Sequence, residues 1–206
     1  MRKMLFTLLI AAALFFVMFS RWTSGYVNFW VVMSCTAAVL TTLALSFGKE
    51  WKQQFHLSAK AVGLGILSAV ALWFVFYFGE MISTLLFDFA RPQIDSVYGM
   101  REGENPVIIG LLLLLLIAPA EEIFWRGYIQ RTLAGRYGKN IAFVLATAAY
   151  TLVHIWSFNF ILIMAALIVG CVWGWLYKKG ANLTTLIVSH ALWDVAVFVL
   201  FPIQNL

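Results

Sequence analysis

Two adjacent carboxylates and a guanidinium end a long apolar run in the middle of the chain. Glu121, Glu122 and Arg126 follow the continuous hydrophobic stretch 107–118. A charge in lipid costs on the order of several kcal/mol, and a hydrophobic helix does not need one to fold. On a helix Glu122 and Arg126 share a face, whereas Glu121 points about 100° away around the axis. We therefore expect Arg126 to neutralise Glu122 and Glu121 to have another partner.

Histidines occur in two later apolar segments. The first is His154, and the second is His190, which Asp194 follows four residues later. That spacing stacks His190 and Asp194 on one helix face, so the carboxyl can orient the imidazole. A lone histidine can simply pack in a membrane helix, but two contiguous glutamates deep in a span have no comparable structural use. The pattern predicts that three helices bring these groups into one polar site.

Such a set of groups is suited to the hydrolysis of a peptide bond. A glutamate in low dielectric beside a histidine can take a proton from water. A second histidine with a carboxyl group can hold the carbonyl oxygen as negative charge develops on it. The same residue types also allow zinc, with Glu122, His154 and His190 as ligands, although the His-Glu-x-x-His signature is absent. Gly-x-Ser-x-Gly and Gly-x-Gly-Asp are also absent, which argues against serine and aspartyl designs.

Three motifs on successive apolar segments resemble a known family. They are Glu121-Glu122-x-x-x-Arg126, Tyr150-x-x-x-His154 and His190-x-x-x-Asp194. In this order they are similar to the motifs of the CPBP family of CAAX prenyl endoproteases and bacteriocin-processing proteins. The resemblance covers about 106–196. It departs from the pattern at Tyr150, where phenylalanine is commoner, and at Asp194, where eukaryotic members have asparagine.

The resemblance implies a role for each motif residue. Glu121 with His154 would activate water, and His190 with Asp194 would face the scissile carbonyl. Glu122 paired with Arg126 would brace the site or share in proton handling, and Tyr150 would support it. We favour the metal-free, glutamate-type version with no cofactor, and we keep zinc as the alternative.

Composition determines the fold class in which these residues must be positioned. The 206-residue chain is 63% hydrophobic and 11% charged, which is too apolar to cover the surface of a soluble domain. We predict an all-α polytopic membrane bundle with about seven transmembrane helices, a single domain and the site inside the bundle. The predicted spans are about 4–20, 26–47, 61–79, 106–133, 140–156, 158–177 and 182–203.

Small residues and proline add local expectations. Gly63 and Gly65 would let the third span approach a neighbour closely, and Gly170-x-x-x-Gly174 would form an internal packing seam. Pro119 is expected to kink the helix just before the glutamates. The hydrophilic stretch 80–105 is expected to be a connector with a short helix near 81–89, and a gate is the alternative.

The basic residues predict an orientation. With seven spans and a cytoplasmic N-terminus, all 14 Lys and Arg residues lie inside, Lys49 among them, except Arg21, Arg91 and Arg101. The C-terminus then lies outside. The net charge of +5 therefore reports topology, and we expect no nucleic-acid partner. We expect an integral protein of a bacterial or archaeal plasma membrane.

The function predicted is an intramembrane endopeptidase. Its substrate would be a lipidated or membrane-anchored polypeptide cut near the membrane, with water activated by Glu121 and His154. A proton-coupled carrier could use the same groups as a relay, although the spans show no internal repeat. A catalytically silent peptide-binding or immunity protein of the same fold is the third hypothesis.

Overall fold

Helices make up almost the whole of the protein. The computed structural model describes residues 1–48 and 50–205, and no β-strand occurs among them. Lys49, which the charge count assigns to the inner side, lies outside these ranges. The predicted all-α class is confirmed. The helices are α1 (Arg2–Phe19), α2 (Phe29–Phe47), α3 (Ala59–Leu86), α4 (Ala90–Gly99), α5 (Pro106–Leu112), α6 (Ala118–Glu122), α7 (Arg131–Leu152), α8 (Phe160–Lys178) and α9 (Leu183–Val195).

Six helical stretches of the described chain are long and apolar enough to cross a membrane. One of them, Pro106–Ser157, has 52 residues, which is far longer than a bilayer core of about 30 Å requires. It reverses at Gly138, whose φ of 79° and ψ of 162° are accessible mainly to glycine. The two arms correspond to the fourth and fifth predicted spans, and the expected loop between them is helical up to the reversal.

The third helix differs from its prediction. The span 61–79 was expected to end before Glu80, but α3 continues to Leu86. Glu80 is tolerated there because its carboxylate pairs with Arg91 of α4 at 2.7 Å. The short helix expected near 81–89 is therefore wrong: its first part belongs to α3, and the separate helix is α4.

The helix carrying the glutamates is irregular on both sides of them. A π-helical turn, Leu113–Ile117, precedes α6, and a second, Ile123–Gln130, follows it. Pro119 lies in the first turn of α6 and has no N–H to donate, so the regular ladder cannot pass through it. The irregularity expected at Pro119 thus takes the form of wide turns, which recur at functional sites and rotate the following side chains.

Most of the basic residues lie at one end of the bundle, which we call the basic end. Lys3 of α1 lies over the ring of Phe47 at the end of α2, at 5.0 Å. Arg131 pairs with Glu50 at 3.1 Å, and Lys178 lies over a ring of α7 at 5.4 Å. The opposite end, which we call the mouth end, contains α4 and the connections before α2, α5 and α8.

The predicted seam on α8 is confirmed as an internal contact. A methyl group added at Gly170 would meet the Tyr150 ring at 3.2 Å, and one at Gly174 would meet the ring of Phe143 at 3.1 Å. Both neighbours belong to α7. The two glycines therefore let α7 and α8 pack closely, and this contact helps to position Tyr150.

Candidate active site

A cavity of about 380 Å³ penetrates the bundle from the mouth end. Its walls are mainly apolar, and they come from α2, α3, α8 and α9. At its inner limit it is lined by five of the predicted site residues, namely Glu121, Tyr150, His154, His190 and Asp194. The sequence-predicted groups from the three helices therefore face a common space.

Helix α4 lies over this cavity and is fixed at several points. The Tyr98 hydroxyl donates to the carbonyl of Val197 at 3.0 Å, and Arg101 donates to the carbonyl of Phe198 at 2.6 Å. Burial raises the pKa of Tyr98 above its ordinary value, so its hydroxyl keeps its proton at neutral pH. The stretch expected to be a connector or a gate thus forms a roof tied to the end of α9.

Glu121 is held by a tyrosine from the other arm of the long helical run. The Tyr150 hydroxyl donates to Glu121 Oε2 at 3.0 Å. Glu121 Oε1 makes no hydrogen bond with any described residue, and the residue lines the cavity with 7% of its surface exposed. One carboxylate oxygen is therefore fixed, and the other is free to accept a proton.

His154 is held in one orientation by a backbone carbonyl. Its Nδ1 lies 2.8 Å from the carbonyl oxygen of Tyr150, which can only accept a hydrogen bond. Nδ1 must therefore carry the proton, and the neutral ring has its lone pair on Nε2. Phe15 and Phe19 of α1 enclose the ring, with centroids at 5.1 and 5.5 Å.

Glu122 lies behind the cavity, where two cationic or polar groups reach it. Its Oε1 accepts from Arg126 Nη1 at 2.9 Å and lies 2.8 Å from His190 Nδ1, and the residue is completely buried. Since a carboxylate oxygen can only accept, His190 Nδ1 must be the donor. This fixes the tautomer of His190 and leaves its Nε2 for the cavity side.

Asp194 completes this row of groups. Its Oδ2 lies 3.5 Å from His190 Nε2, one helical turn along α9. Trp173 of α8 stacks on the imidazole with centroids 3.8 Å apart, and its own N–H is held by Ser189 at 3.0 Å. Arg126 also lies over the Trp173 ring, at 5.4 Å. The row Arg126, Glu122, His190, Asp194 is therefore fixed by both charge and stacking.

The structure also separates residues that the sequence grouped. Glu121 and His154 do not touch, since their shared neighbour is Tyr150, whose side chain meets the first and whose carbonyl meets the second. Trp173 and Phe15 were not predicted. They lie in uniformly apolar runs where nothing distinguishes them from lipid-facing residues, so only the packing of helices reveals their contact with the histidines.

The side chains do not form the zinc site that was kept as an alternative. Its proposed ligands were Glu122, His154 and His190, but Glu122 Oε1 is already shared by Arg126 and His190. His154 and His190 each direct Nδ1 to an acceptor inside the protein, so only their Nε2 atoms are left to bind a metal. Among residues 1–48 and 50–205 no three His, Cys, Asp or Glu side chains are grouped to bind one metal ion. The three proposed ligands are therefore not gathered around one point in the described residues, and we derive no step through a metal.

A comparison with known families finds a match to one segment of the protein. Residues 103–196 match the family described as Rce1-like type II CAAX prenyl endopeptidases. This segment, 94 of the 206 residues, is similar to that family. No curated protein and no solved structure matches the chain significantly.

The matched segment covers every part of the polar site. It begins just before α5 and ends one residue beyond α9, so it includes the three motifs and both arms of the long helical run. The first three helices lie before it and supply the cavity wall, the roof contact and the rings around His154. The similarity to this family supports a CAAX-type endopeptidase of the membrane. It does not specify which side chains activate water.

Proposed function

We propose that the protein is a glutamate-type intramembrane endopeptidase that needs no metal. The observation that carries the proposal is that Glu121, with a free Oε1, and His154, with an unprotonated Nε2, line the same cavity. Both groups can accept a proton from a water molecule in that cavity. The substrate is a lipidated or otherwise membrane-anchored polypeptide. The mainly apolar walls between α3 and α8 suit the apolar part of such a substrate.

The reaction proposed has two steps. A water molecule loses a proton to Glu121, with His154 as the second acceptor. Its oxygen then forms a bond to the carbonyl carbon. The carbonyl oxygen becomes negative and accepts a hydrogen bond from His190 Nε2–H, the second proton of an imidazolium whose Nδ1–H is on Glu122. The C–N bond then breaks, and the amine leaves with the proton held by Glu121.

Asp194 has a supporting part in this scheme. At 3.5 Å from His190 Nε2 it favours the imidazolium when ionised, and it can donate to the oxyanion only when protonated. Either state places charge or a donor on the cavity side of His190. Glu122 and Arg126 hold the imidazole in place and do not contact the reacting atoms.

The orientation proposed has the basic end in the cytoplasm. All but three of the 14 Lys and Arg residues lie in the segments assigned to that side, and a bacterial or archaeal plasma membrane suits this arrangement. The N-terminus is then cytoplasmic, and the C-terminus, at the end of α9, lies on the other face.

The test is cleavage of membrane-anchored peptides by the purified protein, with products identified by mass spectrometry. We expect wild type to cleave and Glu121→Gln and His154→Ala to lose turnover. Glu50→Gln is the matched control, because it removes an exposed carboxylate at the basic end. Cleavage that survives both site substitutions would remove the activity from this cavity. Binding of peptide without cleavage by wild type would favour the silent binding protein.

A further inference from the structure

A second pocket lies at the basic end of the bundle, and none of its lining residues lines the catalytic cavity. We call it the basic pocket. Its volume is about 340 Å³, and sites for small ligands commonly enclose about 300–1,000 Å³. Its walls come from the connection between α2 and α3, the start of α7, the end of α8 and the connection between α8 and α9. A ligand in this pocket would therefore join segments that are far apart in the chain.

Three cations from different places along the chain line the basic pocket. Arg131 opens α7, Lys139 follows the glycine at which α7 reverses, and Lys178 ends α8. Of the nine acidic residues in the chain only Glu50 belongs to this end, and it pairs with Arg131 at 3.1 Å. Both side chains of that pair are partly exposed, so the pair is weak and the guanidinium can turn to a stronger acceptor. The pocket therefore carries positive charge that the described residues do not neutralise.

The floor of the basic pocket consists of buried amides. Gln130 is 2% exposed, and its Nε2 donates to the carbonyl of Gly174 at 2.8 Å. Its Oε1 and its second amide hydrogen make no hydrogen bond with any described residue. Gln54 donates to the carbonyl of Gly127 at 3.1 Å and accepts from the Tyr177 hydroxyl at 2.7 Å. The floor is thus fixed in place, offers further polar atoms and contains no carboxylate that would repel an anion.

The basic pocket lies at the level where the apolar helices end. Helix α8 ends at Lys178, and α9 begins at Leu183. Trp175, one turn before the end of α8, is 48% exposed, and Lys179 lies over its ring at 5.8 Å. Exposed tryptophan at the end of an apolar helix is typical of the boundary between membrane and water. Lys139 on the rim is exposed, so the pocket opens at the level of the lipid headgroups.

We propose that the basic pocket binds the phosphate group of an anionic membrane lipid. Guanidinium and ammonium groups bind phosphate oxygens through charge-assisted hydrogen bonds, and basic pockets between membrane helices hold anionic headgroups. Inorganic phosphate offers the same chemistry, but headgroups are concentrated at the level of this pocket. The bound headgroup joins the start of α7 to the ends of α8 and α9, so it stabilises the folded protein. The proposal does not depend on the endopeptidase function.

Lipid affinity tests the proposal directly. The full chain in detergent is titrated with phosphatidylglycerol or with zwitterionic phosphatidylcholine, and native mass spectrometry gives the apparent Kd of each. Wild type should bind phosphatidylglycerol at least about tenfold more tightly, since each basic residue near an anionic headgroup contributes roughly fivefold. The triple variant Arg131→Gln, Lys139→Gln, Lys178→Gln should lose this preference. Equal binding of the two lipids by wild type overturns the proposal.

A second triple variant controls for the loss of charge alone. Arg2→Gln, Lys3→Gln, Lys60→Gln removes the same three charges from exposed residues of the basic end, and none of them lines the pocket. It should retain the preference for phosphatidylglycerol. Equal weakening by the two triple variants would show attraction to a charged surface and no built site. If the pocket triple does not fold, the single variant Lys139→Gln, on the exposed rim, should still raise the Kd for phosphatidylglycerol about fivefold.

Thermal unfolding separates a lipid headgroup from free phosphate. The full chain is placed in nanodiscs of phosphatidylglycerol, of phosphatidylcholine, or of phosphatidylcholine with inorganic phosphate or glycerol 3-phosphate in the buffer. Wild type should melt at a higher temperature in phosphatidylglycerol than in phosphatidylcholine, and the pocket triple should show a smaller difference. The soluble phosphates should leave the Tm of wild type unchanged. Stabilisation by a soluble phosphate that equals that by phosphatidylglycerol, and that the pocket triple loses, would overturn the assignment to a lipid.

Discussion

Tyr150 and Glu121 lie on opposite arms of one helical hairpin and are joined by a 3.0 Å hydrogen bond from the phenol to Oε2. The tyrosine ring is itself fixed, since Trp125 meets it edge-on at 5.3 Å and Arg126 lies over it at 4.8 Å. A phenylalanine, commoner at this position in the family that the motifs resemble, would keep the ring and lose the bond. The hydroxyl is therefore a feature of this chain that acts directly on the proposed base.

Tyr150→Phe should lower turnover and leave the fold intact. It removes the donor that orients Glu121 while keeping the packing against Trp125. A hydrogen bond to a charged group is worth about 1.5–3 kcal/mol, so we expect kcat to fall on the order of 10- to 100-fold. The measurement is the steady-state cleavage rate of an anchored peptide, with thermal unfolding as the check on folding.

Tyr177→Phe is the control for this prediction. The Tyr177 hydroxyl donates to Gln54 Oε1 at 2.7 Å near the basic end, so the substitution removes a similar bond outside the cavity. It should leave kcat unchanged. Equal losses in the two variants would mean that Tyr150 acts through general stability and not through Glu121.

Arg126→Ala should reduce the folded yield more than any change at Glu121. It removes the guanidinium that pairs with Glu122 in a fully buried position and leaves only His190 to donate to it, and breaking a buried ion pair costs about 3–5 kcal/mol. Glu121→Gln should fold normally and fail to turn over, since it keeps the shape and loses the base. Yield by size-exclusion chromatography and cleavage of the anchored peptide separate the two effects.

The double variant Arg126→Met with Glu122→Gln should restore the folded yield that Arg126→Ala loses. It removes both charges, so folded yield should recover relative to Arg126→Ala. If Glu121→Gln instead lowers the yield and Arg126→Ala leaves it intact, the two glutamates have exchanged roles.

Contacts within one helix could be anticipated because helical geometry fixes them. Glu122 with Arg126 and His190 with Asp194 are each four residues apart, and each pair lies close in space. Hydrophobicity likewise gives the spans, because a bilayer requires about 20 apolar residues per helix whatever the neighbours are. These local rules do not depend on how the helices pack.

Contacts between helices could not be anticipated in the same way. The hydrogen bond of His190 to Glu122 depends on the rotation and height of α9 relative to α6. Two π-helical turns around the glutamates change that rotation, and no residue type in the sequence announces them. The expected direct partnership of Glu121 and His154 is replaced by two contacts through Tyr150 for the same reason.

Chelators should not change the cleavage rate. Glu122 Oε1 is already shared by Arg126 and His190, and no three His, Cys, Asp or Glu side chains of the described residues are grouped to bind one metal ion. Incubation with EDTA or 1,10-phenanthroline, followed by removal of the chelator, should therefore leave kcat within error of the untreated protein. Loss of activity that added zinc restores would contradict the metal-free mechanism.

Close packing of α3 on α9 positions the helix that carries His190, and a pair of glycines tests it. A methyl group at Gly65 would lie 2.8 Å from both the Thr185 carbonyl oxygen and the Val188 side chain, whereas one at Gly63 would meet nothing within 4 Å. Gly65→Ala should therefore destabilise by about 1–3 kcal/mol, the usual cost of overpacking. Gly63→Ala should be neutral or slightly stabilising, because alanine favours a helix by about 1 kcal/mol. Thermal unfolding in detergent measures both.

Since the backbone oxygen of Thr185 cannot move without α9, Gly65→Ala should also lower kcat by displacing His190. Equal melting temperatures for the two variants would show that α3 does not hold α9 in this register.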